Sequence, residues 1–354
     1  MKYKKMIFLP VIIGISLSIV LYLSQSSQDH SEEIDVNSLI DIETSQDIES
    51  KKIMLESYIW KDDQTFKSKL PSDVQYFYTD KKFDDFQNVE RIDRIYVKMN
   101  YDVDSTAYMF FPKNPNNELL IYHQGHRGDI TFGKSTIEFF LNKGYTILAF
   151  SMPLIGENSK PIVHIDELDE NLFLDSHDKL RFLESSTFSP IKFFLEPIYV
   201  SLNYIESEFN FSSYNFIGIS GGGWTAVVYS SFDDRISKTI SVAGSLPFYL
   251  RTSPENFGDY EQKIPEFYDI ANYLELYIMS AYGFDRGLLQ IFNEFDPCCF
   301  SGTEYVSYEN IIKNKISKLK SGTFKIELDK TNKEHSISSS SLQKSLIFLK
   351  NSID

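Results

Sequence analysis

Residues 216–228 read FIGISGGGWTAVV: an apolar run, a serine set among four glycines, then residues that suit a helix. A plain connection between a buried strand and a helix needs one glycine. Four fit a sharp strand-to-helix turn in which backbone segments approach closely and the serine adopts a strained conformation. Such a turn lifts the Ser220 hydroxyl clear of the main chain. A serine hydroxyl is a weak nucleophile unless it is exposed, aligned and served by a base, and this turn supplies the first two conditions. The helix that follows aims its unbonded N–H groups at the same place, so Gly221 N–H is a candidate donor to a developing oxyanion. The turn lacks the lysine of a phosphate-cradling P-loop.

The flanking sequence places the turn in a larger pattern. Residues 91–99 and 106–112 alternate apolar and polar positions across a turn-forming NYDVDS, which reads as a hairpin. Short apolar runs at 118–123, 145–153, 214–220, 235–245, 287–296 and 322–329 read as strands. Between them, 136–144, 191–209, 222–232 and 308–320 carry helical periodicity, and a last helix closes the chain from 339. Strands alternating with helices point to a mostly parallel sheet covered on both faces. With 42% hydrophobic and 15% aromatic residues, the 354-residue chain has material for such a core. Residues 154–190 show no dominant period and read as surface loops or part of a lid. Residues 246–285 form an insertion rich in Phe and Tyr.

The N-terminus reads differently. Lys2, Lys4 and Lys5 precede an uncharged run from Met6 to Ser24. That is the pattern of a signal peptide or a membrane anchor over residues 1–26, and either one exports the remainder. Residues 27–60 read as an acidic linker, with a short helix at its end, and 61–354 as the catalytic domain. The formal net charge of −15 and the absence of a basic stripe argue against nucleic acid as a partner. The two cysteines, Cys298 and Cys299, are adjacent and form no disulfide framework. They read as two buried thiols, the alternative being a vicinal disulfide in an oxidising compartment.

An activated serine needs a histidine. His335 follows the last strand and precedes the last helix, on a loop at the carboxyl end of the sheet where Ser220 also lies. His30 falls in the linker, and His164 and His177 in the irregular stretch before the serine. The third group is expected at a strand end between Ser220 and His335. Asp296, in NEFDPCC, fits best, with Glu294 and Asp329 as rivals. Its work is to accept the Nδ1 proton of His335 and hold one tautomer. The glycine-bearing IYHQGHRGD (121–129) follows an early strand and is placed to give a second oxyanion donor, His126 N–H, with Gln124 as rival. His123 and His126 also raise a metal, but no third and fourth ligand stand at a recognisable spacing. No metal or cofactor is therefore expected.

From about residue 90 onward the chain resembles the α/β-hydrolase fold family. The resemblance rests on GISGG around Ser220, NEFDP around Asp296, EHS around His335, the HQGH loop, and the order Ser, acid, His. It departs from the common pattern at Gln124, where a histidine–glycine pair usually opens the oxyanion loop, and in the three glycines after Ser220. The resemblance implies an eight-stranded, mostly parallel sheet flanked by helices, a lid-like insertion, and a Ser-His-Asp hydrolase. A carboxylesterase acting through an acyl-enzyme is expected. A serine peptidase of the same fold and a non-catalytic binding protein remain as alternatives. The expected partner is a small-molecule ester or peptide, with a membrane involved only through an uncleaved N-terminus.

Overall fold

The computed structural model describes residues 34–351 apart from 62 and 167. The expected signal peptide or anchor lies outside the described residues. Leu39–Asp354 form one compact unit, and Met1–Ser38 are assigned to another. In the latter, Ser38 Oγ donates to Asp35 O at 2.7 Å and closes a short turn.

One nine-stranded sheet organises the main unit. Three antiparallel strands come first: β1 (Asp73–Gln75), β2 (Val89–Val97) and β3 (Ser105–Pro112). The strands β4 (Glu118–His123), β5 (Thr146–Phe150), β8 (Ser213–Ile219), β9 (Ile236–Val242), β10 (Gly287–Asn293) and β11 (Thr323–Asp329) then run parallel to one another. Their spatial order is β1-β2-β3-β5-β4-β8-β9-β10-β11, with β3 antiparallel to β5. Eight strands were expected. The ninth, β1, is a three-residue edge strand with no fully buried residue, so it carries no periodic signal. β6 (Ile162–Ile165) and β7 (Glu170–Phe173) pair separately as a small antiparallel ribbon.

Side chains alternate across the strands, so each covers two helical layers. One face carries Leu120, Ile147, Ile217, Ile240 and Leu289, packed with α2 (Lys134–Leu141) and α9 (Ser339–Lys350) into one apolar cluster. The other face is covered by α5 (Gly221–Phe232), which lies on β8 and β9 and is buried along its whole length. α7 (Tyr273–Ala281) packs on α5 and α8 (Val306–Leu319) packs on β11. The 246–285 insertion therefore has two parts: α7 is core, and the segment before it reaches the functional edge of the sheet.

The linker expectation fails from Leu39 onward. Ser45–Trp60 form a 16-residue helix, α1, packed on α5. Thr44 and Asp47 cap it reciprocally: Asp47 N–H donates to Thr44 Oγ1 at 3.3 Å and Thr44 N–H to Asp47 Oδ2 at 2.8 Å. Ile48, Leu55 and Ile59 are fully buried on one face. The stripe is hard to read because its fourth member is Lys52, buried with its ammonium 2.7 Å from Asp234. Two acidic residues of this stretch are paired too, Glu43 with Lys315 and Glu49 with Lys52 at 3.2 Å, and Lys51 reaches Glu275 at 3.0 Å. Residues 154–190 are likewise not all surface. Leu174, Leu180 and His177, the last on the short helix α3 (His177–Leu180), are buried.

Candidate active site

Parallel strands put their carboxyl ends at one edge, and that edge collects the chemistry. Ser220 follows β8, the 124–129 loop follows β4, Asp296 follows β10, and His335 follows β11.

Ser220 sits at φ 56° and ψ −128°, a conformation that non-glycine residues adopt only when their surroundings force it. The surroundings are tight. A Cβ on Gly218 would collide with the Gly222 carbonyl, and one on Gly222 with the His123 carbonyl. Gly223 backs onto Ser241 Oγ, which a Cβ would meet at 2.9 Å. The glycine run thus lets α5 start against β8 and β4 with no side chain between. Gly125 faces the serine itself: a Cβ there would stand 2.7 Å from Ser220 Cβ and 2.7 Å from Ile219 O.

His335 Nδ1 lies 2.9 Å from Asp296 Oδ2 and 3.0 Å from Oδ1. Both side chains are nearly shielded from solvent. Asp296 also accepts Cys298 N–H at 2.9 Å and Asn293 Nδ2–H at 3.2 Å. Burial alone would raise its pKa, but the hydrogen bond and charge of His335, with these donors, hold it below the ordinary carboxylate value. The rival Asp329 is occupied elsewhere, accepting from Ser338, from Thr331 Oγ1 at 2.7 Å and from Ser341 Oγ at 3.0 Å to fasten the chain ahead of α9. Its pKa is lowered too, those hydrogen bonds overcoming burial.

Ser220 and His335 line two cavities. One, of about 520 Å³, adds His126, Asp259, Gln262 and the cysteine pair, and the other, of about 330 Å³, adds Tyr122, Gln124 and Phe132. Arg127 borders both, and its guanidinium has no ion-pair partner among the described residues.

The 124–129 loop corrects one expectation. Gln124 N–H donates to Phe150 O at 3.0 Å and its side chain accepts from Tyr122, so Gln124 is spent on structure. Gly221 N–H and His126 N–H donate to no backbone acceptor among the described residues. His123 does not join the site. Its Nδ1 lies 2.8 Å from Gln124 O, and burial lowers its pKa to about 4.

Two further expectations change. Cys298 and Cys299 are paired as a vicinal disulfide, and Cys298 is exposed, so they are not two buried thiols. Cys299 Sγ lies 4.0 Å from His335 Nε2, at the cavity wall. His126 also has company that spacing along the chain did not reveal. His177, Asp259 and Glu261 gather around its imidazole. Burial opposes charge on His126, but hydrogen bonds and charges from Asp259 and Glu261 prevail and push it up to about 10. No local signal marks these three; His177 sits in an aperiodic stretch and the acids in the insertion.

No protein-family model and no curated protein matches the chain. Solved structures do. Acetyl xylan esterase 1 from Thermoanaerobacterium sp. JW/SL YS485 aligns with a TM-score of 0.57 at 14% identity, covering 89% of this chain and 98% of that one. The methylesterase BT1017 aligns with a TM-score of 0.57 at 13% identity, over 94% of this chain and 66% of that one. The Pyrococcus furiosus esterase Pf2001 gives 0.51 at 15% identity, over 79% of this chain and 98% of that one. Sheet order, the turn at Ser220 and these likenesses agree that the chain has the α/β-hydrolase fold.

Proposed function

We propose that the protein is a serine carboxylesterase. The observation that carries the reading is the strained Ser220, lining the same cavity as His335, whose Nδ1 is held by Asp296. In the proposed cycle His335 keeps its hydrogen on Nδ1, donated to Asp296, which leaves Nε2 as the base. Ser220 Oγ attacks the ester carbonyl carbon and its proton passes to His335 Nε2. The carbonyl oxygen takes up negative charge and accepts hydrogen bonds from Gly221 N–H and His126 N–H. The carbonyl re-forms as His335 Nε2–H protonates the departing alcohol. Water, activated by His335 in turn, then releases the acid from the acyl-enzyme.

Esters are preferred to peptides because the structural neighbours above are named as esterases. The two cavities meeting at Ser220 suit a substrate that extends to both sides of the scissile bond. Export is part of the proposal: lysines precede the apolar run at the N-terminus, and a vicinal disulfide is favoured in an oxidising compartment. The test is a fluorophosphonate probe with the parent, Ser220→Ala and His335→Ala proteins, beside a panel of short acyl esters and peptidyl amides. Labelling at Ser220 and ester turnover, both lost in the variants, support the reading. A folded parent that neither labels nor turns over esters refutes it.

A further inference from the structure

His126 and the three side chains around it come from three separate segments: the loop after β4, the start of α3, and the insertion before α6 (Pro265–Ile270). Their ligand atoms all lie within 4.8 Å of one another. His126 Nε2 is 2.9 Å from Asp259 Oδ2, 2.9 Å from Glu261 Oε1 and 3.1 Å from His177 Nδ1. His177 Nδ1 is 3.2 Å from Glu261 Oε2.

One hydrogen bond from His126 Nε2–H to a carboxylate accounts for part of this convergence and not for all of it. His126 Nε2 carries at most one hydrogen, yet three acceptor-type atoms point at it. The other ring nitrogen of His177, Nε2, lies 2.9 Å from Pro153 O, to which it can only donate. In the neutral ring that leaves the Nδ1 lone pair turned into the cluster. A backbone carbonyl fixing the far nitrogen is the usual support of a metal-ligating histidine. Glu261 is 0% exposed, and its Oε2 has no hydrogen-bond partner although it faces His177 Nδ1. Two lone pairs facing each other in a buried site repel, and a cation between them removes the conflict.

We propose that His126, His177, Asp259 and Glu261 bind one divalent transition-metal ion, zinc by preference. Two imidazoles and two carboxylates are a zinc-type set, and the imidazoles disfavour calcium and magnesium. Tetrahedral bonds of about 2.0–2.1 Å place neighbouring ligand atoms roughly 3.3–3.4 Å apart, near the 2.9–3.2 Å of four of the pairs here. The ion ties the 124–129 loop to α3 and to the segment that lines the larger cavity at Gly258, Asp259 and Gln262. It also sets the His126 ring against the start of α5, where a Cβ on Gly221 would stand 2.6 Å from His126 Nδ1. His126 and its partners are thus positioning residues for the wall beside Ser220. Metal binding itself does not depend on the esterase reading.

The experiment uses the full chain, stripped with a chelator and titrated with zinc chloride by calorimetry, with thermal unfolding followed in parallel. One equivalent of zinc should bind, and the unfolding midpoint should rise by several degrees at saturating zinc. Asp259→Asn, at a half-exposed position where folding is not at risk, should weaken binding by at least about tenfold. His177→Ala should abolish it. Ser220→Ala should bind zinc like the parent, which separates this outcome from a failure of the esterase reading. A folded, stripped parent that takes up neither zinc nor cobalt overturns the proposal. So does zinc binding that survives Asp259→Asn and His177→Ala but is lost in Cys299→Ser, which would place the ion at the cysteine pair and His335.

Discussion

Asp296→Asn isolates the step on which the proposed chemistry turns. Asp296 offers two oxygens to donors only: His335 Nδ1–H at 2.9–3.0 Å, Cys298 N–H at 2.9 Å and Asn293 Nδ2–H at 3.2 Å. Asparagine has one oxygen and one NH2, so one of these donors must meet another donor. The amide oxygen does best facing Cys298 N–H on the Oδ1 side, because that donor is main chain and cannot rotate away. The NH2 then occupies the Oδ2 position, 2.9 Å from His335 Nδ1, and donates to it. His335 must then carry its hydrogen on Nε2, the nitrogen that accepts the Ser220 proton in the proposed cycle. The imidazole keeps its place and loses its function. Loss of the correct tautomer in a Ser-His-Asp site costs about 10⁴ in kcat, or about 5.5 kcal/mol of transition-state stabilisation. We expect kcat on a short acyl ester to fall by about 10³–10⁴ with KM changed by less than about threefold, since Asp296 does not line either cavity. Steady-state kinetics with circular dichroism as a folding control decide it. A folded variant within about tenfold of the parent would refute the tautomer argument.

Four other outcomes follow from the structure. Gly125→Ala must push a methyl against Ile219 O and Ser220 Cβ at 2.7 Å, so it should lower stability by about 1–3 kcal/mol in urea unfolding and depress kcat with it; an unaffected enzyme would mean that the loop yields freely. Leu55→Ala, fully buried on α1, should cost about 2–5 kcal/mol, whereas a surface linker would lose nothing measurable. The folded pKa of Asp296 is depressed, so its contribution is fully present above the unfolded value of about 3.9 and is lost as pH falls through the lower folded value; the slope of unfolding free energy below about pH 4 should be shallower in Asp296→Asn. Thiol titration of the denatured, unreduced protein should find no free thiol, and two after reduction.

Much of the candidate site was legible because it is built from local signals joined by a chain-order rule. The strand, serine, glycines and helix of 213–232 are contiguous, and the apolar run before Asp296 ends at Asn293, so the acid falls just past the strand as a sheet-edge position requires. His335 needed only to follow the last strand. Asp296 follows a strand and Asp329 ends one, and sequence favoured the former. Their separation is decided by hydroxyls at 331, 338 and 341 that take up Asp329. His126 was favoured over Gln124 as the second donor, and the hydrogen bond of Gln124 N–H to Phe150 O at the end of β5 removes the rival.

By itself, the sequence determined what depends on neighbours along the chain: the alternation of strands and helices, the sharp turn at Ser220, and the parallel sheet that brings strand ends to one edge. Tertiary structure decided what depends on segments far apart meeting. Whether residues 39–60 are linker or helix turned on α5 being there to cover Ile48, Leu55 and Ile59, and on Asp234 being there to neutralise Lys52. Whether His126 is a lone loop histidine or one of four converging side chains turned on residues 51 and 135 positions away. Backbone propensity and periodicity act over a turn or two of helix, while ion pairs and ligand sets are selected by distance in space, which the order of residues does not encode.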